Sequence, residues 1–481
     1  MDIKQRPSHL SNHELADLMT TRHMSTLIRT IVRLRLPSIL VMGALALLIG
    51  GLAPVQAQDR VVNDGTVETG VGQPCKMRPD HGTIQEAVDN ATAGETIYVC
   101  PATQPYAENV VIDKPLTIES ANAGTPGNGS RAAESVIKAA TDAAPVVTVQ
   151  ADDVTIAGFQ IDAETGSGTK SNVGVLIGDG TEGQSNVTVQ NNIVENIPTA
   201  TVGSGTLTAG ILGIAENTPV SGNTIAGNLL QNFEAYSRTT GDAGETQEAN
   251  AGIGLGGLFQ ASLTDNVTDN VAFGIWLIAQ GTGSQTILGG SHTGNHRGIV
   301  VYPPAADMTY TFEDMSFNGN TEYGITIFRS GAAATATGGD VDVTLDATLN
   351  DLTIENTGNF DPDASGLNVS GDAGTGQYNV TVNTSTISDN ANRGVNARST
   401  DDQTIAVTVN QSTVASNGGN PNTSAGRGAG IIAQRGAEIS VSNSTVDNAN
   451  VDADAVSVQS EGSAGDNGRI TVSDSQILAG S

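Results

Sequence analysis

The chain contains 481 residues and carries a formal net charge of −30 at pH 7, because 51 aspartates and glutamates outnumber 21 lysines and arginines. So acidic a chain offers no basic groove for phosphates, which excludes nucleic acid as a partner. It would also repel anionic polysaccharides, unless calcium ions bridged the charges or arginines clustered locally. Aromatic residues make up only 3% of the chain, a composition that argues against the deep core of a globular enzyme.

Residues 1–57 have the features of a bacterial-type secretory signal. A basic segment at 28–35 precedes an apolar run at 39–53, and Val55, Gln56 and Ala57 form a small-residue cleavage signal. We expect cleavage after Ala57, with Met24 as a candidate for the true start. The apolar run of about 15 residues is short for a membrane span, and an uncleaved anchor is the alternative. The prediction is a secreted or cell-surface protein with no transmembrane span after signal removal.

An N-terminal cap with a helix is predicted over residues 58–95. Thr83 and Glu86 form a capping box, in which each side chain satisfies a free backbone amide of the other residue. Gly94 is expected to end the helix. One face of this helix is apolar and consists of Ile84, Ala87, Val88 and Ala91. Such a helix would cover the apolar end and the unpaired sheet edges of the strands that follow.

Residues 96–481 repeat one pattern, in which an apolar residue is followed three positions later by Asn, and then by Gly and an apolar strand. The asparagines are Asn196, Asn228, Asn270, Asn320, Asn390 and Asn417. The glycines are Gly174, Gly210, Gly252, Gly274, Gly298, Gly324, Gly366, Gly394 and Gly430. Repeats of roughly 20–50 residues indicate a solenoid, and the alternation of apolar and polar residues is typical of half-buried strands.

These features predict an all-β parallel β-helix of about ten to twelve coils. Asn tolerates the left-handed backbone of sharp corners, and stacked corner asparagines could hydrogen-bond from coil to coil. Inserted loops are expected at 233–247 and 357–364, either on a binding face or as surface bulges. Residues 469–477 still have a strand pattern, so truncation at the C-terminus, self-capping and end-to-end self-association all stay open.

Two segments of the chain resemble a known family. Residues 83–89 (TIQEAVD), 94–99 (GETIYV) and 106–118 (YAENVVIDKPLTI) resemble the entry segment of right-handed parallel β-helix proteins of the pectin-lyase-like superfamily, and residues 154–161 (VTIAGFQI) resemble a second phrase. The resemblance implies a right-handed, single-stranded parallel β-helix with a short N-terminal capping helix. It implies no reaction, because lyases, hydrolases, esterases, epimerases and phage tailspikes share this fold. The motifs typical of polygalacturonases and pectin methylesterases are not found in this sequence, and no activity can be carried over residue by residue.

The two cysteines, Cys75 and Cys100, lie on either side of the predicted helix. A disulfide between them would attach the cap to the first strand in an oxidising compartment. It would contribute about 3 kcal/mol, mainly by restricting the unfolded chain. Metal binding by the pair is the less favoured alternative.

A candidate binding surface follows from the alternation in the Gly-led strands, where the second and fourth residues after Gly should point outward. Trp276, Tyr302 and Phe328 would then gather on neighbouring coils about 4.8 Å apart, with Arg398 further along. Aromatic rings on an open sheet can stack on sugar rings, and an exposed apolar patch usually marks a binding surface. The alternative is that the insert at 233–247 covers the patch and makes it ordinary core.

Other candidate residues give weaker indications. His292, His296 and Arg297 are expected at one corner beside the patch, where a His near carboxylates could act as a general acid or base; plain loop residues are the alternative. Asp361 and Asp363 could supply two oxygen ligands to calcium, although surface charge is the favoured explanation in so acidic a chain. No other cofactor is expected.

The sequence thus predicts a secreted or cell-surface β-helix protein that binds extracellular polysaccharide or a cell-surface glycan, or that serves as a surface scaffold. The alternative is a polysaccharide lyase or glycoside hydrolase of the same fold.

Overall fold

The computed structural model describes residues 60–63, 75, 80–201, 207–241, 244–278, 281, 283–302, 306–329, 343–358, 364–371, 376–399, 403–418, 428–448, 451, 453–459 and 468–479. The predicted signal at 1–57 and the candidate calcium ligands Asp361 and Asp363 lie outside these ranges. Within the described ranges, no helix combines the length and the apolar character that a membrane crossing requires.

The described strands form two long parallel sheets, of 24 and 13 strands, and each strand pairs with the strand one coil later in the sequence. This confirms the predicted right-handed parallel β-helix. The larger sheet has two parts, called sheet A and sheet B below. The shortest-stranded sheet, here called sheet C, has 13 strands, slightly more than the ten to twelve coils expected. Its strands are Tyr106–Ala107, Val136–Lys138, Gln160–Asp162, Ile193–Glu195, Leu229–Gln231, Val267–Asp269, Ser291–Thr293, Ser316–Asn318, Thr353–Glu355, Thr386–Ser388, Thr413–Ala415, Thr445–Asp447 and Gln476–Leu478.

Sheet B follows sheet C in each coil, and sheet A follows sheet B. Sheet B contains Val110–Ile112, Val147–Val149, Val173–Ile177, Phe273–Ile278, Arg297–Val301, Tyr323–Arg329, Ser365–Gly371, Arg393–Arg398, Ala429–Gln434 and Asp454–Gln459. Sheet A contains Arg60–Val62, Thr96–Val99, Thr117–Ser120, Thr155–Ala157, Thr188–Gln190, Gly283–Leu288, Met308–Glu313, Val343–Asn350, Gly376–Asn383, Gln403–Asn410, Glu438–Ser442 and Arg469–Ser473. Two long strands, Ala209–Ala226 and Ala251–Thr264, begin in sheet B and end in sheet A.

The N-terminal helix spans Ile84–Asn90, with Ala91 as its C-cap, so it ends before Gly94. The Thr83 side chain accepts a hydrogen bond from the Glu86 amide at 3.2 Å, which is the first half of the predicted capping box. The next free amides, those of Ile84 and Gln85, donate to the carboxylate of Glu108 at 2.9 and 2.8 Å. A carboxylate from a neighbouring turn therefore completes the cap.

The segment before the helix also contributes to the sheets. Arg60–Val62 pairs in parallel with Thr96–Val99 and becomes the first strand of sheet A. Cys75 and Cys100 form the expected disulfide, with their Cα atoms 5.6 Å apart. The cap is thus joined to the first coil by a strand pairing and by a covalent bond.

The interior of the coil is apolar, as the alternation predicts. In the five strands led by Gly274, Gly298, Gly324, Gly366 and Gly394, the first and third residues after Gly are buried: Ile275, Leu277, Ile299, Val301, Ile325, Ile327, Leu367, Val369, Val395 and Ala397. Burial of large aliphatic side chains contributes about 1.5–3 kcal/mol each, so stacking of these rows is the main stabilisation of the fold.

The repeated glycines form a column in which each residue faces the next coil. A Cβ atom at Gly298 would collide with the carbonyl oxygen of Gly324, and the same holds for successive members from Gly174 to Gly430. At this corner the backbones of neighbouring coils approach too closely for any side chain. Close approach, rather than turn conformation, therefore explains the glycine repeat.

The repeated asparagines do not form one stack, which corrects the sequence-based expectation. Asn228 lies before a sheet C strand, where its Oδ1 accepts from the Asn192 amide at 3.0 Å. Asn320, Asn390 and Asn417 lie after such strands and form a second buried ladder, in which the Asn390 amide donates to Asn417 Oδ1 at 3.1 Å. By contrast, Asn196 and Asn270 have positive φ values of 65° and 56° and occupy a third position.

The ladder at the first corner changes its residue type along the coil. In the earlier coils it consists of Asn192, Asn228 and Asn266. In the later coils the ladder consists of serines. The backbone amide of Leu352 donates to the hydroxyl of Ser385, and each serine amide donates to the hydroxyl of the next, all at 3.1 Å, in the order Ser385, Ser412, Ser444 and Ser475. A hydroxyl therefore replaces a side-chain amide at the same structural position.

Both predicted inserts leave the coil at the corner between sheet C and sheet B. The first contains Ser237–Gly241 and Gly244–Ala249, which form a small antiparallel sheet with Ala200–Thr201. The second runs from 357 to 364, and its residues 359–363 lie outside the described ranges. Each insert thus connects a sheet C strand to a sheet B strand.

The outer face of sheet A carries a continuous row of hydroxyl side chains. Every coil contributes a threonine or serine at the same register position, and all are exposed or half-buried. The row consists of Thr96, Thr117, Thr155, Thr188, Thr224, Ser262, Thr286, Thr311, Thr348, Thr381, Thr408, Ser440 and Thr471. The two rows beside it are mixed in residue type, so the row is a positional feature of this face.

The last described coil exposes apolar side chains. Val458, Val472 and Ile477 are 50%, 41% and 38% exposed. End-to-end self-association, which the sequence suggested for this end, stays a prediction.

Candidate functional site

The three aromatic residues predicted to share a surface come together on the outer face of sheet B. The ring centroids of Trp276 and Tyr302 lie 5.6 Å apart, and those of Tyr302 and Phe328 lie 4.6 Å apart. In the strand register Trp276 pairs with Val300, so Tyr302 lies diagonally from it rather than directly opposite. All three rings are half-buried, and each therefore offers part of its surface to solvent.

The insert borders this aromatic surface without enclosing it. Tyr236 and Ala249 from the insert pack in the same apolar cluster as Phe273, Val300 and the three rings. The alternative that the insert would cover the aromatic rings and make them ordinary core is thus met only where Tyr236 and Ala249 pack against them. Phe273 also belongs to this outer cluster, although strict alternation would place it inward; the close-packed Gly274 interrupts the alternation between Phe273 and Ile275.

Arg297, a candidate catalytic residue, supports the aromatic surface from below. Its guanidinium lies 5.5 Å from the ring centroid of Phe273, 5.4 Å from that of Tyr323 and 5.8 Å from that of Phe328. Cation–π contacts of this kind contribute about 0.5–2 kcal/mol. Burial would lower the pKa of Arg297, but the negative charge of Glu322 outweighs it and raises the pKa. The residue is a fixed cation that holds the rings.

Glu322 joins Arg297 and His296 in a buried charged cluster. Its carboxylate accepts from Arg297 Nε at 2.5 Å and lies 2.9 Å from His296 Nε2. Burial raises the pKa of Glu322, but Arg297 and His296 together outweigh this effect and lower the pKa to about 2. A carboxylate that stays ionised at neutral pH cannot donate a proton as a general acid.

His296, the second catalytic candidate, is enclosed by its neighbours. Its Nδ1 lies 2.9 Å from Thr321 Oγ1, and its Nε2 contacts Glu322. The Tyr236 ring stacks on the imidazole with a centroid distance of 3.6 Å and an interplanar angle of 10°. Both ring nitrogens are therefore occupied, and the side chain anchors the insert beside sheet B.

His292, the third candidate, lies in the core instead of at a surface corner, which corrects the sequence-based placement. It is 0% exposed, its Nδ1 lies 2.8 Å from Thr268 Oγ1, and its ring stacks on Phe317 at 5.2 Å. Burial lowers the pKa of His292 to about 3, so the imidazole is neutral. An enclosed side chain cannot contact a polymer in solution.

The polar end of the surface lies two coils beyond Phe328. Arg398 follows Phe328 and Ser370 in one outward row of the strand register. The neighbouring row carries Thr326, Asn368 and Asn396, of which Asn368 and Asn396 are 5% and 4% exposed. Outward alternation places these residues correctly, but their mutual hydrogen bonds could not be read from the sequence.

A metal site was also sought among the described residues. No cluster of three or more His, Cys, Asp or Glu residues there is arranged to hold a metal ion. A calcium site at Asp361 and Asp363 stays a prediction, because both residues lie outside the described ranges.

No protein-family model matches the chain, and no curated protein does so either. Solved structures similar to it include the A-module of mannuronan C-5 epimerase AlgE6 from Azotobacter vinelandii, with 11% identity, coverage of 82% of this chain and 92% of that one, and a TM-score of 0.42. Pectate lyase Pel9A is similar at 10% identity, with coverage of 88% and 80% and a TM-score of 0.31. The tailspike protein of E. coli bacteriophage HK620, solved with a pentasaccharide, is similar at 11% identity, with coverage of 81% and 75% and a TM-score of 0.36. These values assign no residue and no activity to this chain, and the β-helix assignment rests on the strand pairing described above.

Proposed function

We propose that this protein is exported and binds an extracellular polysaccharide or cell-surface glycan on the outer face of sheet B. Trp276, Tyr302, Phe328 and Arg398 are the proposed contact residues. The observation that carries the proposal is the set of three half-buried rings in mutual contact, which together form a continuous apolar surface. Sugar rings present apolar C–H faces that stack on such a surface, and rings at binding sites combine large contact area with few rotatable bonds.

The surface is preorganised, which favours binding over incidental exposure. Arg297 lies beneath the rings and is itself held by the buried carboxylate of Glu322. Side chains fixed before a ligand arrives lose less conformational entropy on binding. The Cys75–Cys100 disulfide supports the proposed export, because such bonds persist in oxidising compartments.

The charged cluster beside the rings supports binding rather than cleavage. A cleaving enzyme needs a group that can donate or accept a proton at the substrate. In this cluster His296 is stacked under Tyr236 with both nitrogens occupied, and Glu322 is ionised and shared by two partners. A polysaccharide lyase or hydrolase is the alternative, and it predicts new reducing ends or unsaturated products on incubation.

The single tryptophan of the chain allows a direct test, because Trp276 is its only indole fluorophore. The exported form would be titrated with neutral and acidic polysaccharides while its emission is followed. We expect at least one polymer to shift the emission and to retard the protein in affinity electrophoresis. Tyr302→Ala, which keeps the fluorophore, should weaken this binding, whereas Leu288→Ala on sheet A should not.

Failure of every polymer to change emission or mobility would overturn the proposal, as would equal losses for Tyr302→Ala and Leu288→Ala. The retained polymer would then be assayed for reducing ends and unsaturated products. Products formed by the wild type would replace the binding proposal with the enzyme alternative.

A further inference from the structure

We propose that sheet A carries a ligand site of its own, a polar groove that takes a small neutral polyol of the size of a mono- or disaccharide. The groove has a volume of about 510 Å³, within the range of about 300–1,000 Å³ that is common for small-molecule sites. Sheet A strands form its lining, and the aromatic surface of sheet B contributes no residue to it. The inference therefore goes beyond the proposed function and does not depend on it.

The groove lies where two neighbouring strands of sheet A separate. Ala251–Thr264 pairs with Gly283–Leu288 only through Leu263 and Thr264, at the end of both strands. On its other side, Gly283–Leu288 pairs along its whole length with Met308–Glu313. The missing pairings leave a gap on one side of an otherwise regular strand, and residues from both sides of this gap line the groove.

A buried side chain ties the two separated strands together across the gap. Gln285 is 1% exposed. Its side-chain amide donates to the carbonyl of Ala261, and its Oε1 accepts from the Ala261 amide at 3.4 Å. These two hydrogen bonds replace the backbone pairing that is missing here, so the separation of the strands is fixed by the protein itself.

The other wall of the groove is a β-bulge, where the register of a long strand shifts between Val220 and Asn223. The Asn223 side chain accepts from the Val187 amide at 2.9 Å and donates to the Gln260 carbonyl at 3.1 Å, so it holds the bulge to the coils on both sides. Bulges re-aim side chains and are common next to active sites. This one brings Ser221 into the lining of the groove.

Five hydroxyl side chains line the groove, and within the described part of the chain none of them makes a side-chain hydrogen bond. All five are exposed or half-buried. A hydroxyl both donates and accepts, so this set matches the hydroxyls of a polyol, which replace the hydrogen bonds of displaced water. Because both walls are fixed before a ligand arrives, binding costs little conformational entropy. The five residues are Ser221, Thr224, Ser262, Ser284 and Thr286.

The lining also determines which ligands are disfavoured. Among the described residues that form it, none is charged and none is aromatic. A charged ligand would lose water without gaining an opposite charge, and an anion would also be repelled by a chain of net charge −30. Without a ring to stack on, the ligand is held by hydrogen bonds. The groove therefore favours a neutral, hydroxyl-rich molecule over a sugar acid.

Saturation-transfer NMR tests the groove with glycerol, sorbitol, glucose and trehalose as neutral probes, and with glucuronate as the charged counterpart of glucose. We expect saturable binding of glucose or trehalose, and at least about tenfold weaker binding of glucuronate, whose charge finds no partner. Failure of all four neutral probes to bind, or equal binding of glucose and glucuronate, would overturn the inference.

Thr286→Val removes one hydroxyl of the groove at nearly constant volume, and Thr311→Val is its matched control. Thr311 is the register partner of Thr286 one coil later, and it does not line the groove. Neither side chain is buried, so both variants should melt like the wild type. Thr286→Val should weaken binding of the neutral probe by about three- to tenfold, the effect of one lost hydrogen bond. Thr311→Val should leave it unchanged.

Ser262→Ala, at an exposed position on the other side of the gap, gives a second measurement. It should weaken binding to a similar extent. Unchanged binding in both Thr286→Val and Ser262→Ala, or an equal loss in Thr311→Val, would reject the groove as the site.

Tyr302→Ala separates this inference from the proposed function. It should leave the signal of the neutral probe unchanged, and Thr286→Val should leave the polymer-induced change in Trp276 emission unchanged. Loss of the probe signal in Tyr302→Ala would show that small polyols bind at the aromatic surface, which would overturn the groove and leave the proposed function standing.

Discussion

Sheet A and sheet B are built from the same coil, yet their outer faces differ in almost every respect. On sheet A the central outward row consists of threonines and serines that are exposed or half-buried along the whole coil. On sheet B the corresponding row passes from Trp276 through Val300 and Thr326, of which the latter two are 0% and 1% exposed. The regular face is the scaffold, and the face that departs from regularity carries the candidate site.

The difference teaches where information lies in a repeat protein. Inward residues are equivalent on both sheets, because one continuous core must be filled in every coil. Outward residues are free to differ, and on sheet B they combine rings, amides and arginines next to an insert. Four experiments can break or sharpen this comparison, and they are given from the largest expected effect to the smallest.

Glu322→Gln should destabilise the protein by about 3–5 kcal/mol, because it leaves Arg297 buried without its charge partner. The matched substitution on sheet A is Glu313→Gln, at a half-buried outward position. That variant should stay within about 0.5 kcal/mol of the wild type. Denaturant unfolding measures both values, and equal losses would show that the cluster gives sheet B no special dependence.

Acid should weaken sheet B before sheet A. The pKa of Glu322 is about 2 in the folded protein, below its ordinary value, so its contribution is complete above the unfolded pKa. That contribution is lost as the pH falls from about 4.5 towards 2. Hydrogen exchange at pH 3 should show faster exchange in 297–301 and 323–328 than in 308–313. Uniform protection at that pH would contradict the assignment, and so would an equal change in exchange between pH 7 and pH 3 in Glu322→Gln, which has no carboxylate to titrate.

Gly298→Ala should destabilise the protein by about 1–3 kcal/mol, as is typical of overpacking. Its Cβ would meet the carbonyl oxygen of Gly324 and the ring of Phe317. Gly82→Ala is the control, because a Cβ there meets nothing within 4 Å. Thermal unfolding of both variants tests whether the glycine column sets the spacing of the sheet B strands, and a neutral Gly298→Ala would reject that explanation.

The same substitution on the two faces gives the most direct comparison. Thr326→Val on sheet B removes the acceptor of the Asn368 amide and should cost about 1 kcal/mol. Thr311→Val on sheet A changes a half-buried residue of the hydroxyl row and should change stability by less than about 0.5 kcal/mol. Urea unfolding resolves the difference. A larger loss for Thr311→Val would mean that the hydroxyl row is itself structural.

The fold could be predicted from the sequence because it follows from the periodic spacing of apolar residues and glycines. Apolar alternation placed both inward and outward residues of the Gly-led strands, and the glycine repeat marked the start of each strand. The asparagine repeat was less informative, because Asn196 and Asn320 satisfy the same spacing but occupy different corner positions. A spacing of three residues does not reveal how far past the strand the residue lies within the corner.

The site could be predicted only in part. The proximity of Trp276, Tyr302 and Phe328 follows from register alone, and the sequence anticipated it. The placement of His292 was wrong, because an inward position of a strand and a corner look alike when the residue is polar. The stacking of Tyr236 on His296 depends on how the insert returns to the coil, and no local pattern encodes that path.

The corner ladders have a consequence for how the chain acquires its structure. The side chain of Asn228 accepts a hydrogen bond from the backbone amide of Asn192 and donates one to the carbonyl of Val189, and both partners lie in the preceding coil. Asn266 and Asn417 make the same two hydrogen bonds to the coils before them. Each turn is therefore completed by the one synthesised after it. Folding that starts at the capped amino end can therefore proceed one coil at a time, because each new coil supplies the side chains that complete the coil before it.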